Sequence, residues 1–217
     1  MIYKNGIIKQ KNFYENENQG TYTITGTLTN NNGIFYGFSA NNYITTNCSI
    51  GSNTNSLEIY GSYETVSDIT TEQYIFCTLT RNLAVKVVNS KFTFQVSSNN
   101  GSSWNNLIVG TAVISANTKY YYKIISDNTN IRLYILINGT WVLQATIAIS
   151  GTFTTTTLGF GNHLPTKVCP TLGYIDLTDY TVKSNGNIIW NGVDAYLQND
   201  KAKIGKNFIA SKSFYEI

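Results

Sequence analysis

"KYYYKIISDNTNIRLYILINGTWVLQATIAI", residues 119–149, decides the fold class of this chain. Lys119–Ile125 and Ile131–Ile137 are rich in Tyr, Ile and Leu, with single basic residues between them, a composition that is typical of strands. A polar turn separates these two segments. Asn138-Gly139 is a strong signal for a two-residue hairpin, after which Trp141–Ile149 returns as a third strand. The stretch therefore predicts consecutive antiparallel strands that each bury one face, as a two-layer sandwich requires.

The rest of the chain supports the same fold class. From Ile34 onward, short apolar stretches recur between clusters of Gly, Asn and Ser: IFYGFSA, NYITT, SLEIYGSY, EQYIFCTLT, LAVKVV and KFTFQVS. This spacing is typical of a β-sandwich or barrel. The 217 residues include 28 Asn, 28 Thr and 16 Tyr, and no long stretch has a helical period. We therefore predict an all-β protein, a two-sheet antiparallel β-sandwich, with one domain.

Charge, length and cysteine usage limit the classes of function. Charged residues make up 12% of the chain, whereas about 25% is usual for globular domains. Arg81 and Arg132 are the only arginines, so we expect no nucleic-acid partner. The N-terminal sequence lacks an apolar signal-peptide core and no stretch of about 18 apolar residues occurs, so we expect no secretion signal and no membrane insertion. Three widely spaced cysteines fit reduced thiols in a protein made in a cytoplasm.

Three segments in fixed order resemble a known group of domains. They are "LYILING" (133–139), "LGFG" (158–161) and "GYIDL" (173–177). Together they resemble the strand pattern of concanavalin A-like, laminin-G-like jelly-roll domains over roughly residues 30–192. The resemblance implies a concanavalin A-like jelly roll for 30–192. Residues 1–29 would form an N-terminal extension or first strands, and 193–217 a C-terminal strand or extension.

The end of this region is similar to a narrower set of proteins. "GYIDLTDYTVKSNGNIIWNG" (173–192) resembles the ending of such domains on tail, baseplate and fibre proteins of bacteriophages. The hairpin sequence "SSNNGSSW" (97–104) recurs upstream in those domains and also resembles the Asp-box of sialidases. The resemblance implies a virion structural protein on a tail fibre, baseplate or capsid surface, made in the host cytoplasm. Its partners would be other virion proteins, and we expect a homo-oligomer or multicopy arrangement.

The sequence lacks the motifs of the glycosidases that share this fold or carry an Asp-box. Glucanases of this fold carry a Glu-x-Asp-x-(x)-Glu strand motif for retaining hydrolysis, and none of the 12 acidic residues forms it. A sialidase needs repeated Asp-boxes and three arginines, more than this chain has. His163 is the only histidine and so the only candidate base for nucleophilic catalysis. We expect no enzymatic activity, although two carboxylates from different strands could still meet in space. A glucanase-like glycoside hydrolase therefore stays an alternative.

Carbohydrate binding fits the available side chains better. Aromatic rings offer platforms for sugar faces, and amides or hydroxyls can bond the sugar hydroxyls. The candidate sugar-binding residues in loop-like sequence contexts are Tyr43, Trp104, Asn162 and His163. For Trp104 the sequence favours closure of its own hairpin over sugar binding, and Trp141 and Trp190 are expected in or against the core.

No cofactor is predicted, but calcium stays an open alternative, because the laminin-G-like domains that this chain resembles often bind it at one rim. The loops "SDNTN" (126–130) and "GNH" (161–163) offer oxygen ligands, but the sequence has no acidic cluster and no specific ligand is predicted. No other cofactor is expected. The sequence thus predicts a lectin-like module for adhesion to a host-surface glycan, with a purely architectural decoration or fibre protein as the second alternative.

Overall fold

The computed structural model describes residues 20–50, 56–79, 83–96, 106–127, 129–148, 156–162 and 169–204. Nearly all of its regular elements are strands, and they form three antiparallel sheets. This arrangement confirms the prediction of an all-β, two-sheet antiparallel sandwich. Trp104, His163 and the hairpin sequence 97–104 lie outside the described residues.

A seven-stranded sheet forms one layer, in the order β1-β4-β13-β6-β7-β8-β9. Its strands are β1 (Tyr22–Thr25), β4 (Tyr43–Ile50), β6 (Gln73–Thr78), β7 (Leu83–Val88), β8 (Lys91–Val96), β9 (Asn106–Val113) and β13 (Thr156–Phe160).

A six-stranded sheet forms the other layer, in the order β12-β11-β10-β5-β15-β16. Its strands are β5 (Leu57–Glu64), β10 (Lys119–Ser126), β11 (Asn130–Ile137), β12 (Thr140–Ala148), β15 (Thr181–Ser184) and β16 (Asn187–Asn191). A small third sheet has the order β14-β3-β2 and consists of β2 (Thr29–Asn31), β3 (Ile34–Tyr36) and β14 (Ile175–Asp176).

The hairpin predicted at Asn138-Gly139 is present. Both residues have positive φ, at 49° and 77°, as a type I′ turn requires, and Ile137 pairs with Thr140 directly across the turn. This register places alternate residues of β11 and β12 on opposite faces of the six-stranded sheet.

The core lies between the two large sheets and is rich in aromatic rings. Phe76 of one layer stacks on Tyr122 of the other, with ring centroids 6.2 Å apart. Phe160 contacts Tyr180 edge to face at 4.7 Å and lies 6.2 Å from the ring of Trp190. Trp190 is fully buried, as expected for a residue docked against the sandwich.

The C-terminal segment differs from the sequence-based expectation. A strand or extension was expected from residue 193, but Gly192–Ile204 forms helix α1. The side chain of Asn191 accepts hydrogen bonds from the N–H groups of Val193 (2.8 Å) and Asp194 (3.4 Å), and so caps the first turn. Ala195 is fully buried where the helix packs on the sandwich. No helix in the described part of the chain is long and apolar enough to cross a membrane.

Candidate functional site

The outer side of the six-stranded sheet carries a group of aromatic side chains around one lysine. Strand alternation turns Tyr60 of β5, Tyr121 and Lys123 of β10, and Tyr134 of β11 away from the core. Trp141 of β12 faces the same way because it pairs with Leu136, two residues after Tyr134. We call Tyr60, Tyr121, Lys123, Tyr134 and Trp141 the aromatic face.

The strand register brings three members of the aromatic face into one row. Lys123 pairs with Tyr60 on one side and with Tyr134 on the other. Such direct cross-strand neighbours have Cβ atoms about 5 Å apart, so their side chains touch. The row is therefore fixed by the backbone pairing of three strands and does not depend on a loop.

Two of the rings lean toward each other over this row. The strands that carry Tyr60 and Trp141 are three spacings apart, which is about 14 Å between backbones. Their ring centroids are nevertheless only 6.4 Å apart, in an edge-to-face arrangement at 73°. Lys123 Nζ lies over two rings, 4.7 Å from the ring centroid of Trp141 and 5.0 Å from that of Tyr134. The rings and the ammonium group form one continuous, half-buried surface.

Charged groups border the aromatic face on the Tyr60 side. The Tyr60 hydroxyl donates to Glu58 Oε2 at 3.1 Å, and Lys183 Nζ lies 3.9 Å from the same oxygen. Lys183 also lies over the Tyr60 ring, 5.5 Å from its centroid. Burial and the hydrogen bond to Glu58 raise the pKa of Tyr60 above its ordinary value, so its hydroxyl is a neutral donor and acceptor near pH 7.

The expectation that Trp141 lies in the core is wrong. Its side chain is half-buried on the outer face, where it contacts Tyr60 and Lys123. Sequence reasoning also missed Tyr60, Lys123 and Tyr134 as candidate site residues. A signal was available: the Asn138-Gly139 turn fixes the register, and counting back from it puts Trp141 on the same face as Tyr134.

Two of the residues predicted for sugar binding, Tyr43 and Asn162, lie at the seven-stranded sheet and not on the aromatic face. Tyr43 begins β4 and pairs with Thr25, and its neighbour Ile44 pairs with Phe160, two residues before Asn162. The structure therefore brings Tyr43 and Asn162 to the same end of the seven-stranded sheet. Tyr43 is half-buried and keeps part of its ring accessible.

Asn162 has a structural role at that end. Its side chain is only 3% exposed, donates to the carbonyl of Ser39 (3.4 Å) and accepts from the N–H of Cys169 (3.2 Å). It therefore joins the loop before β4 to the segment after β13. Direct contact between Asn162 and a sugar does not fit this burial. Of the four predicted residues, Tyr43 is the one whose described side chain stays accessible, and its binding role stays a prediction.

In the loop 126–130, which was considered as a calcium site, the carboxylate of Asp127 bonds to other groups of the protein. Asp127 Oδ1 accepts hydrogen bonds from the N–H groups of Thr129 (2.8 Å) and Asn130 (2.7 Å), while Oδ2 pairs with Arg132. Arg132 and these turn hydrogen bonds hold the pKa of Asp127 well below its usual range. Across the described ranges, no three His, Cys, Asp or Glu side chains come together as a metal-binding group. Calcium binding stays a prediction without a named ligand.

Two carboxylates do meet in space beside the aromatic face. Asp176 and Asp179 both pair with Lys119 Nζ, at 3.0 Å and 2.8 Å. Asp176 Oδ1 also caps the short 3-10 turn Leu177–Asp179 by accepting from the N–H and hydroxyl of Thr178, and Asp179 accepts from the Ser62 hydroxyl at 2.6 Å. Burial alone would lower the pKa of Lys119, but its hydrogen bonds to Asp179 and Asp176 raise that pKa above its ordinary value. The pair fastens the 3-10 turn to β5 and β10.

Known structures with a similar fold give a consistent result. The receptor-binding domain of botulinum neurotoxin type G matches with a TM-score of 0.56 at 16% identity, over 84% of this chain and 46% of that chain. The binding domain of serotype D matches with a TM-score of 0.54 at 13% identity, over 85% of this chain and 47% of that chain. A structure of botulinum neurotoxin type C, whose cell entry depends on interaction with two ganglioside molecules, matches with a TM-score of 0.53 at 14% identity, over 84% of this chain and 46% of that chain.

The chain thus spans about half the length of the solved structures it matches. No protein-family model matches it, and no curated protein matches its sequence. At these identities the likeness concerns the fold alone, and it confirms the all-β sandwich fold.

Proposed function

We propose that this protein is a non-enzymatic, lectin-like module that binds glycans on its aromatic face. The observation that carries the proposal is the clustering of Tyr60, Tyr134 and Trp141 around Lys123 on one exposed side of a rigid sheet. Sugar rings present C–H faces that pack on aromatic rings, while their hydroxyls bond to polar groups at the edges. The aromatic face supplies both kinds of contact.

The polar partners lie where a bound sugar would need them. The Tyr60 hydroxyl and the Glu58 carboxylate are joined by a hydrogen bond on one border of the face. Lys183 lies next to them and Thr181 pairs directly with Tyr60 from the neighbouring strand. Because these groups lie on paired strands, they are held in place before the ligand arrives, which reduces the entropic cost of binding.

A single face of this size implies weak binding per copy. A Kd of roughly 1 mM corresponds to about 4 kcal/mol, a modest gain expected from stacking and a few hydrogen bonds. Useful adhesion then requires many copies that bind at once, since linked sites raise the overall avidity without new contacts. A multicopy setting is therefore part of the proposal.

The setting that we propose is the surface of a bacteriophage particle, with other virion proteins as neighbours. The support comes from the resemblance of 173–192 to phage tail, baseplate and fibre domains, and from the low charge and the odd number of cysteines in the chain. Dependence of a botulinum neurotoxin of the same fold on gangliosides is compatible with a glycan ligand here. We propose no catalytic role, because Asp176 and Asp179 are both engaged by Lys119.

A glycan array with two single variants tests this function. We expect Trp141→Ala to abolish detectable binding and Tyr43→Ala, at the opposite sheet, to retain it, with thermal unfolding showing that both variants fold. The reverse result would move the site to the end of the seven-stranded sheet. Absence of binding by the wild-type protein, to the array and to host cells alike, would favour the architectural alternative. Cleavage of any bound polysaccharide would contradict the non-enzymatic proposal.

A further inference from the structure

Lys123 differs from the other cations on and beside the aromatic face. Lys183 lies near Glu58, Arg132 pairs with Asp127, and Lys119 pairs with Asp176 and Asp179. Within the described part of the chain, Lys123 has aromatic neighbours and no carboxylate partner.

The environment of Lys123 is nevertheless partly shielded from water. Its side chain is half-buried between two strands, and its ammonium group lies over the rings of Tyr134 and Trp141. Cation–π contacts compensate part of the lost hydration, but they leave the ammonium's donors available for an anion. Hydrogen bonds between charged partners are about twice as strong as neutral ones. The aromatic face therefore has one unmatched positive charge at its centre.

From this charge pattern we infer that the aromatic face selects anionic sugars over neutral ones. The inference rests on the proposed function and names its ligand class: a sugar with a carboxylate or sulfate group next to an apolar ring face. The anion pairs with Lys123 Nζ while the sugar ring packs on the aromatic side chains around it. Glu58, already near Lys183, repels an anion from the Tyr60 border and so favours one orientation of the ligand.

A nucleic acid is the less suitable occupant, although its bases also stack on aromatic rings. Single-stranded nucleic acids are held by cationic grooves that follow several phosphates. Among the described residues at this face, Lys119, Arg132 and Lys183 each lie close to a carboxylate of the protein. The ammonium group of Lys123 is therefore the positive charge that is left for a ligand. One anionic group beside a stacking surface matches an acidic sugar.

Paired glycans and charge variants test the inference. The probes are 3′-sialyllactose and lactose 3′-sulfate, each compared with lactose, together with an array of uronate-containing oligosaccharides and their carboxyl-reduced forms. The variants are Lys123→Met, which keeps the aliphatic stem, and Lys123→Arg, which keeps the charge. Lys91→Met is the matched control, since it removes a lysine from β8 of the seven-stranded sheet, in the other layer of the sandwich.

We expect the wild-type protein to bind at least one acidic glycan about tenfold more tightly than its neutral counterpart, the range for a charged hydrogen bond. Lys123→Met should reduce this ratio of acidic to neutral affinity to about one, whereas Lys123→Arg and the control variant should keep it. The carboxylate and sulfate arms identify which anion is preferred.

Each other outcome overturns the inference in a recognisable way. Equal binding of acidic and neutral glycans refutes the anionic preference and leaves the proposed function intact. If no glycan binds, both fail. Displacement of bound glycan by a short oligonucleotide at lower concentration would assign the face to nucleic acid. A Trp141→Ala variant that turns a dimer into a monomer, without any glycan binding, would assign it to a second copy of the chain.

Discussion

Substitution of Gly61 by alanine should destabilise the sandwich at its centre. Gly61 lies in β5 directly after Tyr60, on the face that points inward. A Cβ atom there would lie 2.3 Å from Cε1 of Tyr180, about 1 Å short of the 3.4 Å at which ordinary contact begins. The Tyr180 ring thus covers a strand glycine, and the absence of a side chain is what admits it.

Tyr180 has little freedom to move away. It is fully buried, its hydroxyl shares a 2.7 Å hydrogen bond with that of Tyr122 and donates to the Ser62 carbonyl at 2.9 Å, and its ring lies 4.7 Å from that of Phe160. Overpacking of a core costs about 1–3 kcal/mol, and each hydrogen bond lost adds about 1 kcal/mol. The removal of a strand glycine returns about 0.5–1 kcal/mol. We expect the free energy of unfolding to fall by about 2–4 kcal/mol.

Urea unfolding followed by circular dichroism measures this change, and a double-mutant cycle identifies its cause. Tyr180→Leu makes room beside residue 61, so Gly61→Ala should cost much less in that background than in the wild-type protein. A Gly61→Ala protein within about 0.5 kcal/mol of wild type would refute the reasoning, since that is the ordinary scatter for substitutions without a structural cost. Equal costs in both backgrounds would refute the role of Tyr180.

Three further predictions concern the sheet edge, the helix cap and alkaline pH. Gln144, 4% exposed in β12, accepts a hydrogen bond from the N–H of Ala112 in β9 (2.8 Å), and these two strands are the edges of the two large sheets. Gln144→Ala should therefore lower the free energy of unfolding by about 2 kcal/mol and increase light scattering on heating, because it exposes an unpaired strand edge. Unchanged scattering would show that Gln144 does not protect this edge from aggregation. Asn191→Ala removes the cap of α1 and should cost about 1 kcal/mol in urea unfolding, whereas Asn191→Asp should restore most of it. Burial raises the pKa of Tyr63 from 10.0 to about 12 and that of Cys48 from 9.0 to about 12, so the unfolded chain releases these protons first. The contribution of these two groups to stability should be constant below about pH 8 and fall as pH rises from there through 12, by about 3 kcal/mol for Tyr63 alone. Thermal unfolding against pH and tyrosinate absorbance at 295 nm would show this loss, and ionisation before unfolding would contradict it.

Local sequence patterns were sufficient to predict the strands that are consecutive in the chain and pair across short turns. The strands from Lys119 to Ala148 and the turn at Asn138-Gly139 follow from strand-favouring residues and turn chemistry, because neighbouring strands pair across short connections. Helix α1 is not predicted from the sequence although Asn191 and Asp194 are ordinary N-terminal signals, because residues 192–204 show no clear apolar stripe with a helical period.

The site was harder to predict because its members meet through distant pairing. Tyr60 joins Lys123 only because β5 pairs with β10, and no local pattern specifies that choice of partner. Trp141 was placed in the core on its size and apolar character, whereas its register with Leu136 puts it outside. Asn162 lies in a polar loop that resembles a binding loop in sequence, but its side chain is buried and forms hydrogen bonds with the backbone. Only tertiary packing distinguishes these two roles.

The central position of β5 in the six-stranded sheet has a consequence for how the protein folds. β10, β11 and β12 are consecutive in the chain and can pair within a contiguous segment, so Lys123, Tyr134 and Trp141 assemble through local contacts. Tyr60, in contrast, enters from far upstream and is fixed on its other side by Thr181. Closure of such long chain segments is slow, because its entropic cost precedes the contacts that repay it. Ligand binding should therefore appear late in refolding, with the edge-to-face contact between Tyr60 and Trp141 as its last step.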